Sequence, residues 1–350
     1  MKNIKFWAMY FALVILFAAC KADEPIVEVS PYESGVFITH EGAFTGGTGT
    51  ISFYNRTVGG IKNDIFGSVN GGAVVGNILQ SMTVIGDKAY LVVNNAKRIV
   101  VVDAKTFKFQ DSITATVLPR YLLDIDGKKA FVSEWGAGGV EGAIKVLDLT
   151  TKKFTKTIAT GKGAERMLRN GTAVWVVNNG GFDADSTVAI IDVASEVVIK
   201  KINVGAAPNS LVQDANGDIW VLCGGTYGVV NSGKLVQIKN NAVATTYNVP
   251  QGSNSLVTNA TKNTFYFNTS KGIYQKDLTA TGPSVFLDKP AAKATFDALY
   301  GLGIDPKTGN LFCADAKDYA SKGVVYIFNN AKVLQDSLKT DVLPSNFWFK

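Results

Sequence analysis

Residues 173–180 read AVWVVNNG, a short apolar strand centred on Trp175 and closed by turn-forming residues. The same kind of segment returns six more times: GVFITHEG at Phe37, KAYLVVNN at Tyr90, KAFVSEWG at Phe131, DIWVLCGG at Trp220, TFYFNTSK at Tyr266 and NLFCADAK at Phe312. From Tyr90 onward the aromatics are 41, 44, 45, 46 and 46 residues apart, and the first step, from Phe37, is 53. A fixed period of this length with strand-type content is the mark of a propeller blade of four strands. Seven repeats therefore predict an all-β chain, a seven-bladed β-propeller with four antiparallel strands per blade.

The third unit shows how one blade is read. Pro119-Arg120-Tyr121-Leu122 opens an innermost strand, and a tight turn at Asp126-Gly127 leads into the strand around Phe131. AIKVLDLT is the third strand and FTKTIAT the outer one. RIVVVDAKT, TVAIIDVAS, KLVQIKNNA, GIYQKDLTA and VVYIFNNAK repeat the third-strand pattern. Alternating apolar residues between Asn, Asp and Gly turns suit half-buried antiparallel strands. The first unit has no Pro-x-x-apolar entry before Gly35, whereas residues 344–349, PSNFWF, supply one at the other end of the chain. The ring is thus expected to close by the C-terminal strand joining the first blade, which pairs both exposed sheet edges.

The chain begins MKNIK, followed by an apolar stretch from Phe6 to Phe17 that is too short to span a bilayer but suits a secretory signal. Phe17-Ala18-Ala19-Cys20 resembles a bacterial lipoprotein cleavage site, with Phe17 where Leu is usual, and designates Cys20 for lipidation. Lys21-Ala22-Asp23-Glu24 resembles the signal that sends Bacteroidota lipoproteins to the outer face of the outer membrane. The expected organisation is a signal peptide over 1–19, a lipidated Cys20 and polar tether over 20–34, and the propeller over 35–350. A plain signal peptide releasing a periplasmic protein is the alternative. Acyl chains hold a membrane by about 0.8 kcal/mol per buried CH2, so two or three give a durable anchor.

With Cys20 assigned to lipid, only Cys223 and Cys313 remain; they fall two blades apart, so buried free thiols are expected rather than a disulfide. Without Lys2 and Lys5 the chain carries 33 basic and 29 acidic side chains, about +4, scattered rather than clustered. That balance argues against a nucleic-acid-binding stripe. His40 is the only histidine, which leaves almost no material for His-rich metal centres or Ser-His and Cys-His nucleophile pairs. Asp214-x-Asn216-x-Asp218 starts like a calcium loop, but twelve positions on stands Gly225 instead of Glu, so it reads as a hairpin turn. Asp183-Ala184-Asp185 reads as a solvated turn. No catalytic residue, metal ligand or cofactor is assigned.

VWVVNNG, TVAIIDVAS, VIKKINVGAAPNSL and the Asn216-Gly217-Asp218 turn before DIWV resemble the YVTN/YncE-like family of seven-bladed propellers over residues 35–349. The last unit, GIDPKTGNLFCADAKDYASKGVVYIFN, is similar to Bacteroidota surface lipoproteins of that group. Some of those bind cobalamin and pass it to a TonB-dependent transporter. The resemblance therefore implies a surface-anchored protein with a corrinoid ligand and a transporter partner.

The repeat also places a site. Loops that enter the innermost strands share one face of a propeller with the loops between second and third strands. The entry positions supply Gln80, Arg120, Tyr121, Glu165, Arg166, Asn209, Asn254, Tyr300 and Asn346 as candidate ligand-binding residues. The second set of loops lies around His40-Glu41, Asn94-Asn95, Glu134-Trp135, Asn179 to Phe182, Gly225 to Tyr227 and Asp315 to Tyr319, and adds Trp135, Phe182, Tyr227 and Tyr319. Aromatics there would stack on a flat ligand while amides bond its rim. Arg120 and Arg166 suit a phosphate or carboxylate, and equally Glu165 is a candidate to neutralise one of them. The expected function is small-molecule binding without turnover; a protein-interaction or adhesion propeller is the alternative, with single-stranded nucleic acid and propeller-enzyme readings behind both.

Overall fold

The computed structural model describes residues 30–288 and 296–350. Cys20, the leader and most of the expected tether lie outside the described residues. Over the compact unit Tyr32–Lys350 the strands form seven four-stranded antiparallel sheets. The innermost strands of blades two to seven are Leu79–Ile85, Pro119–Asp124, Ala164–Asn170, Pro208–Gln213, Asn254–Thr258 and Leu299–Ile304; that of blade one is Pro344–Phe349. Each touches the innermost strands of both neighbouring blades around the full circle, which makes the chain a closed seven-bladed β-propeller.

The sequence pattern explains where the core sits. Strands covered on both faces need apolar residues at successive positions. In blade two, Leu91 to Val93 of the second strand and Ile99 to Val102 of the third provide such runs, and all are buried. Seven apolar clusters result, each lying between the facing sheets of two neighbouring blades. The repeated aromatic fills this space: Phe37, Tyr90, Phe131, Trp175, Trp220 and Phe312 are all buried. In blade six Tyr266 takes the same place toward blade seven, half-buried and edge-on against Phe286, while Phe265 and Phe267 fill the cluster toward blade five.

Two departures from the sequence reading concern blade one. Its long first step contains a short helix, α1 (Ile65–Val69), that no sequence signal announced. Ile65 and Phe66 are buried in the cluster between blades one and two, and the Asp64 side chain accepts the Gly67 amide at 3.0 Å. Tyr32, assigned to the tether from sequence, joins the same cluster against Phe37, Phe53 and Phe107.

The ring closes as the sequence suggested. Val36 pairs with Phe349, Phe37 with Trp348 and Ile38 with Phe347. Arg56 of blade one secures the join, donating to Asp305 of blade seven at 2.6 Å and to the Lys350 carbonyl at 2.5 Å. Blade seven makes room with glycine: a Cβ on Gly301 would stand 1.8 Å from the Ser345 carbonyl oxygen, and one on Gly303 2.8 Å from the Phe347 ring. Gly301→Ala is therefore expected to cost about 1–3 kcal/mol, the usual toll of overpacking, measured by urea unfolding; an unchanged midpoint would contradict this packing.

Cys223 and Cys313 are buried and unpaired. Burial pushes the Cys223 thiol up to about 12 and Cys313 well above its ordinary value. Neither should react with iodoacetamide in the folded protein, since the thiolate is the reactive form; mass spectrometry of the labelled peptides checks this.

Candidate functional site

The innermost strands share a local irregularity that builds the site. In each of blades two to seven the pairing with the second strand slips at its first residues, between Leu79 and Ser81, Pro119 and Leu122, Ala164 and Met167, Pro208 and Ser210, Asn254 and Val257, and Leu299 and Gly301. Blade one slips opposite Thr39 and His40. Such a bulge re-aims side chains that a regular strand would send to alternate faces. Here it falls on the entry residues. Several of these bulges follow a residue in the left-handed region: Ile78, Leu118, Ala207 and Leu343 have φ of 58°, 53°, 53° and 62°.

The result is a cavity of about 370 Å³ lined from all seven blades, hence on the propeller axis. Gln80, Arg120, Tyr121, Trp135, Glu165, Arg166, Asn209, Tyr227, Asn254, Tyr300 and Asn346 all line it, as the repeat alignment expected. Phe182 and Tyr319 do not. Phe182 stands outside, edge-on to Trp135 with ring centroids 5.4 Å apart, and Tyr319 meets Tyr300 in the same manner at 6.0 Å. The lining also includes Glu41, which the sequence placed on this face without singling it out, and Gln251 and Ser253 from the loop entering blade six.

Charge within the cavity is arranged in pairs. Arg120 grips Glu165 through two bonds of 2.9 and 2.8 Å, and Glu165 also accepts the Trp135 indole N–H at 2.9 Å. The Arg120 guanidinium lies 4.1 Å from the Trp135 ring centre. Burial opposes the Arg120 charge, but Glu165 outweighs it and holds the group above its ordinary value. Arg166 stacks 4.6 Å from the Tyr121 ring centre and donates to the Asn346 side-chain oxygen at 2.6 Å. Asn346 in turn donates to the Gln80 carbonyl at 2.8 Å, tying the closing strand to blade two.

Glu41 has a different environment. The Tyr300 hydroxyl lies 3.2 Å from both of its oxygens and the Gln80 amide 3.5 Å from one. Burial pushes Glu41 up to about 7, with Arg120 and Arg166 pulling the other way. A carboxyl raised on folding stabilises the fold fully below its unfolded value, and that contribution is lost as pH rises through about 7. Glu41→Gln should therefore gain stability relative to wild type between about pH 5 and 8, by up to roughly 3 kcal/mol. Urea unfolding at both pH values measures the difference; a constant difference would contradict a buried, titrating Glu41.

Asn179, Gly181 and Gly225 of the second loop set also line the cavity, while other positions of that set are structural. Asn94, Glu134 and Asp315 are buried and hold the chain where it enters an innermost strand: Asn94 donates to the Pro119 carbonyl at 3.0 Å, Glu134 accepts the Val117 amide at 2.9 Å, and Asp315 accepts the Ala298 amide at 2.8 Å. His40 is fully buried against Thr50, and burial lowers it to about 4. Asp214 accepts the Asn216 and Asp218 amides and the Trp220 indole N–H, as a hairpin turn does. Asp183 pairs with Lys162. Among the described residues no group of three or more His, Cys, Asp or Glu is placed to hold a metal ion. None of their helices is long and apolar enough to cross a membrane.

Fold and cavity together define a seven-bladed propeller with a polar axial pocket. The chain belongs to the family described as Domain of unknown function (DUF5074), which matches residues 34–349. No curated protein matches the sequence. Among solved structures it is similar to a quinonprotein alcohol dehydrogenase-like protein from Bacteroides thetaiotaomicron, at 17% identity and TM-score 0.66 over 91% of this chain and 78% of that one. It is also similar to a putative 6-phosphogluconolactonase from Bacteroides uniformis, at 11% identity and TM-score 0.64 over 91% and 100%. Hydrazine synthase from Kuenenia stuttgartiensis matches at 15% identity and TM-score 0.63 over 75% and 86%. At these identities the likeness is one of fold.

Proposed function

We propose that this propeller is a binding protein that receives a small molecule in its axial pocket. The observation that carries the reading is the pocket itself: a concave, preformed site to which every blade contributes, lined by amides, aromatics and two arginines. Rigid blades lose little ordering entropy when a ligand enters. The pocket's residues hold one another in hydrogen bonds, and its lining contains no histidine or cysteine to act as base or nucleophile.

The resemblance to Bacteroidota surface lipoproteins supports a finer form of this reading: an outer-membrane lipoprotein, anchored through Cys20 and facing the exterior, that binds a corrinoid and passes it to a TonB-dependent transporter. A cavity of about 370 Å³ does not enclose a corrin ring. The ring would rest on the rim, where Tyr227 and Phe182 are 94% and 68% exposed, with one substituent in the pocket. Calorimetry with cyanocobalamin and cobinamide tests the ligand; absence of both heat and thermal shift removes corrinoids. The exposed Tyr227, Val229 and Val230 on one loop also favour a second reading, a protein partner seated on this rim. Pull-down from intact outer membranes in the absence of small ligand tests that reading.

A further inference from the structure

We propose that the axial pocket recognises an anionic group, a carboxylate or a tetrahedral oxyanion ester, with Arg166 as the cation that receives it and Glu41 as the group that takes up a proton on its arrival. The inference deepens the binding reading and rests on it.

The charge pattern of the pocket carries the argument. Four of its lining side chains bear a carboxyl or a guanidinium: Glu41, Arg120, Glu165 and Arg166. Arg120 and Glu165 satisfy each other in a two-point ion pair. Arg166 forms no ion pair among the described residues; its hydrogen bond goes to the neutral amide of Asn346 and its plane rests on Tyr121. Stacking and one amide bond fix the direction of a guanidinium without neutralising it, which leaves part of its donor fork for a planar carboxylate or a tetrahedral oxyanion.

Glu41 sets the second half. It too has no ion pair among the described residues, and its partners are the Tyr300 hydroxyl and the Gln80 amide. Arg120, Arg166 and Glu165 are the charged groups that act on it across the pocket, and burial dominates them. A negative ligand on Arg166 removes much of the cation's pull on Glu41 and adds repulsion, so the bound state favours the protonated carboxyl. Protonated, Glu41 becomes a hydrogen-bond donor facing the pocket. Anion affinity should therefore rise as pH falls, by about fivefold between pH 8 and pH 6. A cationic ligand would meet Arg166 unpaired and would gain only a half-titrated, already hydrogen-bonded carboxyl.

Calorimetry with four probes of one shape tests this: benzoate, phenyl sulfate, benzamide and benzylamine. The anions keep their charge across about pH 6 to 8, so any pH dependence belongs to the protein. Benzoate or phenyl sulfate should bind at least about tenfold tighter than benzamide, in keeping with a charge-assisted bond, and the stronger of the two identifies the ligand chemistry. Arg166→Gln should erase the preference while Arg166→Lys retains part of it, and Glu41→Gln should keep the preference but flatten its pH dependence. Benzamide binding as tightly as both anions, or benzylamine binding tighter, would overturn the inference and leave the binding reading standing, as would an Arg166→Gln protein that still prefers anions. Failure of all four probes at their solubility limits would overturn it as well, and a corrinoid or other compound that still binds would keep the broader reading alive.

Discussion

Removal of residues 344–350 is expected to unfold the ring as a whole. The segment supplies the innermost strand of blade one, packs Phe347 and Phe349 against the cluster between blades seven and one, and seats Trp348 beside the cluster between blades one and two. Its loss also deprives Arg56 of the Lys350 carbonyl and leaves the edge of the strand Gly35–His40 unpaired. Losing one large aromatic from a core commonly costs about 3–5 kcal/mol. Three half-buried ones, lost together with a strand's hydrogen bonds, should remove about 5 kcal/mol or more, which rivals the whole stability of an ordinary domain. The expected result is an insoluble product or a melting temperature lowered by roughly 10 °C or more. A truncated protein that melts as wild type would show that blade one takes its inner strand from elsewhere.

Glu165→Ala should be the most damaging single change in the pocket. It removes both acceptors of Arg120 and the partner of the Trp135 indole at once. The Arg120 and Glu165 side chains are 14% and 7% exposed, so the arginine is left nearly buried and uncompensated. Breaking such a pair from one side costs about 3–5 kcal/mol. Arg120→Ala in the same chain should restore part of the loss, because the stranded charge leaves with it. A double-mutant cycle read by urea unfolding gives the coupling; additive losses would mean that the two groups stabilise the fold independently. The same cycle bears on function, since ligand binding lost with Glu165→Ala and not regained in the double variant would show that the Arg120–Trp135 stack itself shapes the pocket wall.

The blade count, the closure and most of the pocket were legible because repetition converts local chemistry into position. Trp175 and its counterparts mark one buried place in every blade, and the prolines at 119, 208 and 344 mark the entry to an innermost strand. Once those are aligned, Arg120, Glu165, Asn209 and Asn346 must meet near the axis. What the period could not convey was local. TFYFN sets three aromatics side by side; the period picks out Tyr266, but only the strand register shows that Phe265 and Phe267 fill the cluster on the other side of the sheet, toward blade five. The bulge at each strand entry has no sequence mark of its own, so nothing distinguished Glu41, aimed into the pocket, from its neighbour His40, buried behind it. Phe182 and Tyr319 were placed on the right face but one layer too far in, because their loops carry them outside Trp135 and Tyr300.

The most direct test is a thermal-shift screen of small molecules, corrinoids and organic anions included, run in parallel on wild type, Arg166→Gln and an opposite-face control, Asp126→Asn. Compounds that stabilise wild type and the control but not Arg166→Gln are the expected result. Compounds that stabilise Arg166→Gln as well as wild type yet fail on Asp126→Asn would place the ligand on the other face and contradict the axial pocket as the binding site.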